Sequence, residues 1–361
     1  MGYIELMKKK LAEVLKKDNP VILAIESSCD ETAASVIEGR EILSNIVASQ
    51  IEIHKRFGGV VPEIASRNHA TAMPNIVNQA LGKANKQLKD IDVIAVTYGA
   101  GLQGALLIGV SFAKALSYSS KIPLVAINHI RGHIAVNYLI YPEIKFPYLC
   151  LIVSGGNSAI AYVEDYKKFE ILGETQDDAC GECFDKVARV LGFPYPGGPE
   201  LEKAAKQGVN KISFPSPAYD GETAHFSFSG LKTSVINYIH KNEQINQKIN
   251  KSDVAASFQD AILRGIVENL TKCYKIKKVS SIVLSGGVAS NSALRERIEK
   301  AFEKENVKIY YPPLKYCTDN AVMIAAEAYA LIKSHSVMAE DLDLDVNTNL
   351  DLGELRFCEK A

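Results

Sequence analysis

His129 and His133 stand four residues apart in the run Asn128-His129-Ile130-Arg131-Gly132-His133. On a helix this spacing puts both imidazoles on one face, as two ligands of one metal ion. Spacing alone also leaves open a pair with no role but packing. A zincin-type peptidase requires a glutamate directly after the first histidine to act as base. Ile130 occupies that position, which disfavours peptidase chemistry but not metal binding. Much later in the chain, Asp319 in Thr318-Asp319-Asn320 precedes an alanine-rich stretch. Its carboxylate reads either as a helix N-cap or as a third metal ligand, and position by itself favours the cap.

Three glycine-bearing segments, at residues 99–104, 154–157 and 285–291, can present backbone N–H groups to a phosphate or ribose. None carries the Gly-Lys-Ser/Thr of a P-loop, and none is a dinucleotide fingerprint. Singly each is a tight strand–helix turn; three facing one cleft favour a nucleotide. Cys180-Gly181-Glu182-Cys183 spells C-x-x-C, but no second C-x-x-C completes a zinc site and no thioredoxin-like pattern surrounds it. Two small buried side chains are the expectation. Asp177 and Asp178 stand as caps of the helix that follows, and Asp185 lies deeper in it, able to point into the cleft. The turn at residues 26–32 is packed with hydroxyls and carboxylates, more than a hairpin needs. It holds Asp30 and Glu31, the candidate catalytic residues, although no general base is readable.

Positioning such groups calls for alternating strands and helices. Residues 21–25 and 33–37 read as strands around the polar turn, and residues 148–153 and 159–163 repeat that plan around Ser154-Gly155-Gly156-Asn157-Ser158. The repetition hints at an internal duplication. The uncharged run 93–113 is long enough to suggest a membrane span. Its glycines at 99, 101, 104 and 109, with Thr97, Tyr98 and Gln103, argue instead for strand, loop and buried helix. The expected organisation is a lysine-rich leading helix over 1–20, an N-terminal lobe over 21–145 and a C-terminal lobe over 146–333. That second lobe carries a helical insertion at about 173–275, with residues 237–252 polar and exposed. The tail, 334–361, receives no structure. Such alternation supports two related α/β lobes with a cleft between them.

The whole chain, 361 residues with 47% hydrophobic and 23% charged, has the composition of an ordinary folded protein. Lys+Arg is 41 against Asp+Glu 42, a net charge of −1, so no overall basic field draws nucleic acid. An RNA partner would need a local patch, Lys232 and the lysines of 272–278 being candidates, or an auxiliary protein. Seven scattered cysteines without a secretory signal suggest a reducing cytoplasm.

Together these segments resemble the TsaD family, also called Gcp or YgjD. The resemblance is carried by Ile25-Glu26-Ser27-Ser28-Cys29-Asp30-Glu31-Thr32, Pro62-Glu63-Ile64-Ala65-Ser66-Arg67 and Gly101-Leu102-Gln103-Gly104. His129 with His133, Val153-Ser154-Gly155-Gly156 and Phe184-Asp185-Lys186-Val187 continue it. Phe226-Ser227-Phe228-Ser229-Gly230-Leu231-Lys232-Thr233, Gly286-Gly287-Val288-Ala289-Ser290-Asn291 and Cys317-Thr318-Asp319-Asn320 complete it. They run in family order from about residue 21 to 333.

The resemblance implies an actin/Hsp70/sugar-kinase-like (ASKHA) fold of two RNase H-like lobes around a nucleotide cleft. It implies transfer of threonylcarbamoyl from threonylcarbamoyl-adenylate to N6 of the adenosine beside the anticodon in tRNAs reading ANN codons, with release of AMP. By the same carry-over His129, His133 and Asp319 hold one divalent metal, Fe2+ first and Zn2+ second. Ile152, Val153, Ser154, Gly155, Gly156, Asp185, Gly198 and Asn291 hold the adenylate. Glu202 stands where an aspartate often binds ribose. Implied partners are tRNA, a TsaB-like paralogue lacking the metal site and a small TsaE-like ATPase, in the cytoplasm and away from membranes. Departures from the family pattern are Asn157-Ser158 for His-Thr, Cys180 and Cys183 for alanines, and Arg131 between the histidines. Arg131 points off the ligand face at helical spacing, so little effect on ligation is expected of it. A small-molecule kinase of the same fold, a metallopeptidase and a non-catalytic nucleotide-binding scaffold are the competing functions.

Overall fold

Apolar residues at every position of 21–25 mark a strand buried on both faces, as the centre of a helix-flanked sheet requires. In the computed structural model, which describes residues 2–219 and 223–354, that strand follows helix α1 (Tyr3–Val14) as β1 (Val21–Glu26). β2 (Glu31–Glu38) and β3 (Glu41–Ser49) continue as an antiparallel meander beside it. The short α2 (Ile51–His54) and the long α3 (Pro62–Lys83) come next. β4 (Val93–Gly99), α4 (Gln103–Ser120) and β5 (Leu124–Asn128) form a crossover unit, with β4 parallel to both β1 and β5. The sheet order is β3-β2-β1-β4-β5. Leu23 and Ile25 of β1 share a core with Ile94 and Val96 of β4, Met73 and Val77 of α3, and Val110 and Ala113 of α4. Helix α5 (His129–Ile140) starts at the residue after β5. The uncharged run 93–113 is thus strand, loop and helix, and no helix among the described residues is long and apolar enough to cross a membrane.

A second sheet repeats the arrangement. β6 (Tyr148–Val153), β7 (Ser158–Val163) and β8 (Phe169–Glu174) form the antiparallel meander. Helices α6 (Cys180–Val190), α7 (Gly197–Ala205), α8 (Phe228–Gln244) and α9 (Lys251–Ile276) lie between β8 and β9 (Ser281–Ser285). After α10 (Ser292–Phe302), β10 (Lys308–Tyr310) lies parallel to β9, itself parallel to β6. The order β8-β7-β6-β9-β10 and its strand directions match those of the first sheet. Residues 237–252 are mostly exposed, as expected; α8 continues into them to Gln244, and only Ile239 and Asn242 of the stretch are buried, on its inward face.

The last helix is α11 (Ala321–Lys333). The chain divides into two compact units. One is built from the described residues within Met1–Ile144, Tyr166–Lys168 and Thr318–Ala361; the other is built from those within Lys145–Asp165 and Phe169–Cys317. The expected lobe boundary at residue 333 therefore differs from this division, which returns α11 to the first unit. The cause is burial: α11 is enclosed from Ala321 to Ala328 and packs on α5 and β1. The described part of the tail is also ordered. Leu344 and Leu350 join the first unit's core. The Asn347 N–H donates to Tyr98 O (2.8 Å) and the Gly101 N–H to Thr348 O (3.2 Å), while Asn128 Nδ2 donates to Asp351 O (2.9 Å). Residues 355–361 lie outside the described residues.

Candidate metal centre

Helix α5 is started by Asn128, whose Oδ1 accepts from the N–H groups of Ile130 (2.9 Å) and Arg131 (3.3 Å). The two histidines then fall one turn apart, their rings edge-on with centroids separated by 4.8 Å. Asp319 joins them from a position 186 residues beyond His133, with Oδ1 3.1 Å from His133 Nε2. The same oxygen is 3.6 Å from His129 Nε2. All three donor atoms lie within 4.8 Å of one another. Ligand atoms about 2.0–2.2 Å from one ion sit roughly 3–4 Å apart, so this set fits a divalent metal. Two imidazole nitrogens and one carboxylate oxygen also leave positions free for a substrate.

The cap alternative for Asp319 fails, because Asn320 fills that role. Its Oδ1 accepts from the N–H groups of Val322 (3.0 Å) and Met323 (3.3 Å) at the start of α11. Burial works against charge on His129, but the carboxylates of Glu26 and Asp319 outweigh it and raise the imidazole to about 9. Burial likewise opposes ionisation of Asp319, and His129 and His133 overcome it, holding the carboxyl down to about 2.

Residues that sequence reasoning passed over support this centre. Ser28 Oγ (3.0 Å) and Glu26 Oε2 (3.2 Å) face Nδ1 of His129. The available signal was a glutamate closing an otherwise apolar strand, an expensive placement unless partnered. Arg131 leaves the ligand face, as helical spacing implies, on a side of α5 where α11 packs. Arg131 is 1% exposed; its Nε donates to Glu327 Oε1 at 2.6 Å and it also donates to Tyr166 O. Gly132 permits the close approach of the two helices: a Cβ there would lie 3.2 Å from Met323 O and 3.1 Å from Ile324 Cδ1.

The two candidate catalytic carboxylates are neighbours of this region. Glu31 Oε1 accepts from Ser49 Oγ (2.8 Å). Burial first, and then the Asp30 carboxylate, push Glu31 up to about 9. In that state it is a proton donor at neutral pH rather than a base.

The expected nucleotide residues belong to the second unit. Ile152 and Val153 are buried in β6, so their side chains serve the core and only their backbone is available. In the turn that follows, Ser154 N–H donates to Asn157 O (2.8 Å), and Ser154 O accepts from the Gly181 N–H (3.0 Å) at the start of α6. Nothing lies within 4 Å of a Cβ built on Gly155, Gly156 or Gly198. Asp185 of α6 accepts the Gly197 N–H (2.6 Å) and so holds the start of α7, where Gly198 sits. One turn later Glu202 Oε1 accepts from Ser292 N–H (3.1 Å) and Oγ (2.5 Å) and pairs with Lys206 (3.0 Å). Burial opposes its ionisation, and these hydrogen bonds leave its pKa below the ordinary range. Asn291 caps α10 through the Leu294 N–H (3.0 Å) and donates from Nδ2 to Gln259 Oε1 (3.0 Å). The structure thus links Asp185 with Gly197, the neighbour of Gly198, and Glu202 with the Asn291–Ser292 corner.

The acids ahead of α6 do not cap it; Ala179 holds the N-cap position. Asp177 reaches instead to α8, where Oδ1 accepts the N–H groups of Phe228 (2.8 Å) and Ser229 (3.1 Å). Asp178 pairs with Lys186 (2.9 Å) and Lys232 (2.5 Å). Cys180 and Cys183 are both buried, and burial pushes the Cys183 thiol up to about 12 and Cys180 well above its usual value. They pack as thiols, as the sequence suggested.

The chain is similar to several known proteins. The family described as tRNA N6-adenosine threonylcarbamoyltransferase matches residues 41–326. A protein of that name from Clostridium perfringens (strain 13 / Type A) is 51% identical over 339 residues, 93% of this chain and 99% of its own length. One from Clostridium botulinum (strain Kyoto / Type A2) is 51% identical over 341 residues, 94% of this chain and 99% of its own. Among solved structures, full-length HypF in its phosphate- and nucleotide-bound form superposes with a TM-score of 0.61 at 14% identity, covering 89% of this chain and 47% of that one. Component A of the Acidaminococcus fermentans (R)-2-hydroxyglutaryl-CoA dehydratase gives 0.53 at 16% identity, covering 87% and 99%. These likenesses show the fold, which is that of the actin/Hsp70/sugar-kinase class. The sequence matches reach further, and by them the chain belongs to the family of tRNA N6-adenosine threonylcarbamoyltransferases.

Proposed function

We propose that the chain modifies tRNA by taking threonylcarbamoyl from threonylcarbamoyl-adenylate, with one divalent metal, Fe2+ before Zn2+, held by His129, His133 and Asp319. The observation that carries this reading is the convergence of three ligand atoms from α5 and the α11 turn while a neighbouring residue, Asn320, supplies the cap. The donor is a mixed anhydride and already activated, so no covalent enzyme nucleophile is needed. The adenosine N6 amine forms a C–N bond to the carbamoyl carbon, the bond from that carbon to the phosphate oxygen breaks, and AMP leaves while the amine loses a proton. A divalent ion at the triad supplies Lewis acidity and a point of attachment for the donor. The chain's own task is to hold donor and amine together. In this reading Gly155 and Gly156 offer backbone N–H groups to the adenylate, with Ser154 folding their turn, and Asp185, Gly198, Glu202 and Asn291 order its pocket. Glu31, protonated, donates a hydrogen bond near the reacting groups, with Asp30 beside it.

Binding of tRNA draws on partners. The net charge is −1. Several of the candidate lysines are already committed: Lys232 to Asp178, Lys277 to Glu170 and Lys278 to Glu305, with Lys272 on the carbonyls of Tyr219 and Thr223. A TsaB-like paralogue and a TsaE-like ATPase are the proposed partners, and the cytoplasm the proposed compartment. The six described cysteines form no disulfide. The test is transfer of labelled threonine to tRNA with a threonylcarbamoyl-adenylate synthase supplied, alongside metal analysis. Transfer without bound metal would refute the metal-dependent form of the reading.

A further inference from the structure

We infer that Glu26 is the positioning residue of the metal centre: through Nδ1 of His129 it fixes which nitrogen of that ring faces the ion. This rests on the metal reading above. Glu26 closes β1, and its side chain is 0% exposed. A carboxylate persists in such a place only where its lone pairs are met by donors. Oε1 accepts the Ser28 N–H at 2.5 Å, and Oε2 accepts the Thr97 hydroxyl at 2.6 Å. The remaining neighbour of Oε2 is His129 Nδ1, at 3.2 Å. Thr97 lies on β4, the strand hydrogen-bonded to β1, so the carboxylate is held by the sheet itself.

An ionised carboxylate offers only acceptors. The His129 nitrogen that faces it therefore carries the hydrogen whether or not the ring is charged, so the nitrogen left to give up its proton to a metal is Nε2, on the side of Asp319 and His133. Ser28 Oγ, 3.0 Å from the same Nδ1, cannot set this choice, because a hydroxyl serves equally as donor or acceptor. A carboxylate behind a ligating imidazole fixes both tautomer and ring orientation, and its loss commonly weakens metal binding by ~10–100-fold. His133 differs: among the described residues its Nδ1 meets no hydrogen-bond partner, while its Nε2 faces Asp319 Oδ1 at 3.1 Å. Of the two rings, only that of His129 has a carboxylate on the nitrogen turned away from the triad.

The test uses the full-length protein, zinc titration by calorimetry, 15N spectra of the histidine rings with zinc bound, and thermal unfolding without metal. Glu26→Gln keeps the shape and removes the charge. Its zinc affinity is expected to fall about 10–100-fold, with the metal-free melting temperature retained and the His129 ring no longer confined to the Nδ1–H form. Thr97→Val, which frees Oε2 without touching any ligand, should shift both readouts in the same direction by less. The reference is His133→Ala. If wild type and His133→Ala bind zinc equally well, the triad itself is wrong and this inference falls with it. If His133→Ala loses zinc while Glu26→Gln binds like wild type and keeps the Nδ1–H signal, only the role of Glu26 is refuted. Should Glu26→Gln fail to fold, unchanged affinity and unchanged ring signals in Thr97→Val overturn the inference.

Discussion

The β1–β2 turn and the β6–β7 turn hold the same place in two sheets of the same strand order, yet they are built for different work. In the first, side chains turn inward: Glu26, Ser27 and Ser28 are buried, and Glu26 and Ser28 close on His129. In the second, Ser154 folds the turn onto Asn157, and Gly155 and Gly156 leave the backbone exposed with open space where a Cβ would be. The first turn backs the His129–His133–Asp319 triad; the second leaves its backbone open. One topology thus carries two chemistries, because the sheet fixes only where a turn emerges and the residues in it decide what it can touch.

The largest expected effect sharpens the comparison on the side-chain half. Arg131→Ala would leave Glu327 buried and unpaired beneath the metal helix and should cost about 3–5 kcal/mol of stability, read by denaturant unfolding. A variant as stable as wild type would mean that α5 needs no ionic tie to α11. Replacing a ligand comes next. Asp319→Ala should weaken metal binding by more than the ~10–100-fold typical of outer partners, with transfer to tRNA falling in step. Wild-type metal content and transfer would reduce the triad to a histidine pair and break the comparison outright.

On the second unit the effects are smaller. Asp177→Ala removes the carboxylate oxygen that accepts the first N–H groups of α8, Ser227 making no side-chain cap of its own, and should cost about 1 kcal/mol in thermal unfolding. No change would show that backbone geometry alone starts that helix. Gly155→Ala should leave stability within about 0.5 kcal/mol, since nothing crowds the new methyl group. Adenylate affinity, measured by calorimetry, should nonetheless drop if the backbone approaches its ligand closely. Unchanged affinity would mean that the second turn is only a turn.

Much of the local structure was readable from the chain. The strands at 21–25 and 148–153, the helix after the 99–104 loop and the late alanine-rich helix follow from short-range patterns, and the structure has them close to those limits. The histidine pair was legible for the same reason, since four residues is one helical turn. Less was legible wherever a residue answers to a distant partner. Position made Asp319 look like a cap, and Asp177 and Asp178 like caps of their own helix; the structure gives the first cap to Asn320 and sends Asp177 to α8.

By itself, then, the sequence determined which segments become strands and helices, that His129 and His133 share a face, and, through its long run of family motifs, which reaction class the chain belongs to. Those properties depend on neighbours within a turn or two, or on matches along the chain. The tertiary structure alone decided that Glu26 stands behind His129, that Arg131 is buried against Glu327, and that the tail fastens Asn128 at the head of α5, and it is what brings Asp319, a ligand only by family resemblance, within reach of the histidines. Each of these is a contact between residues 103 or more positions apart. Which polar group a buried donor meets is set by how sheets and helices pack, and no spacing within the chain encodes that.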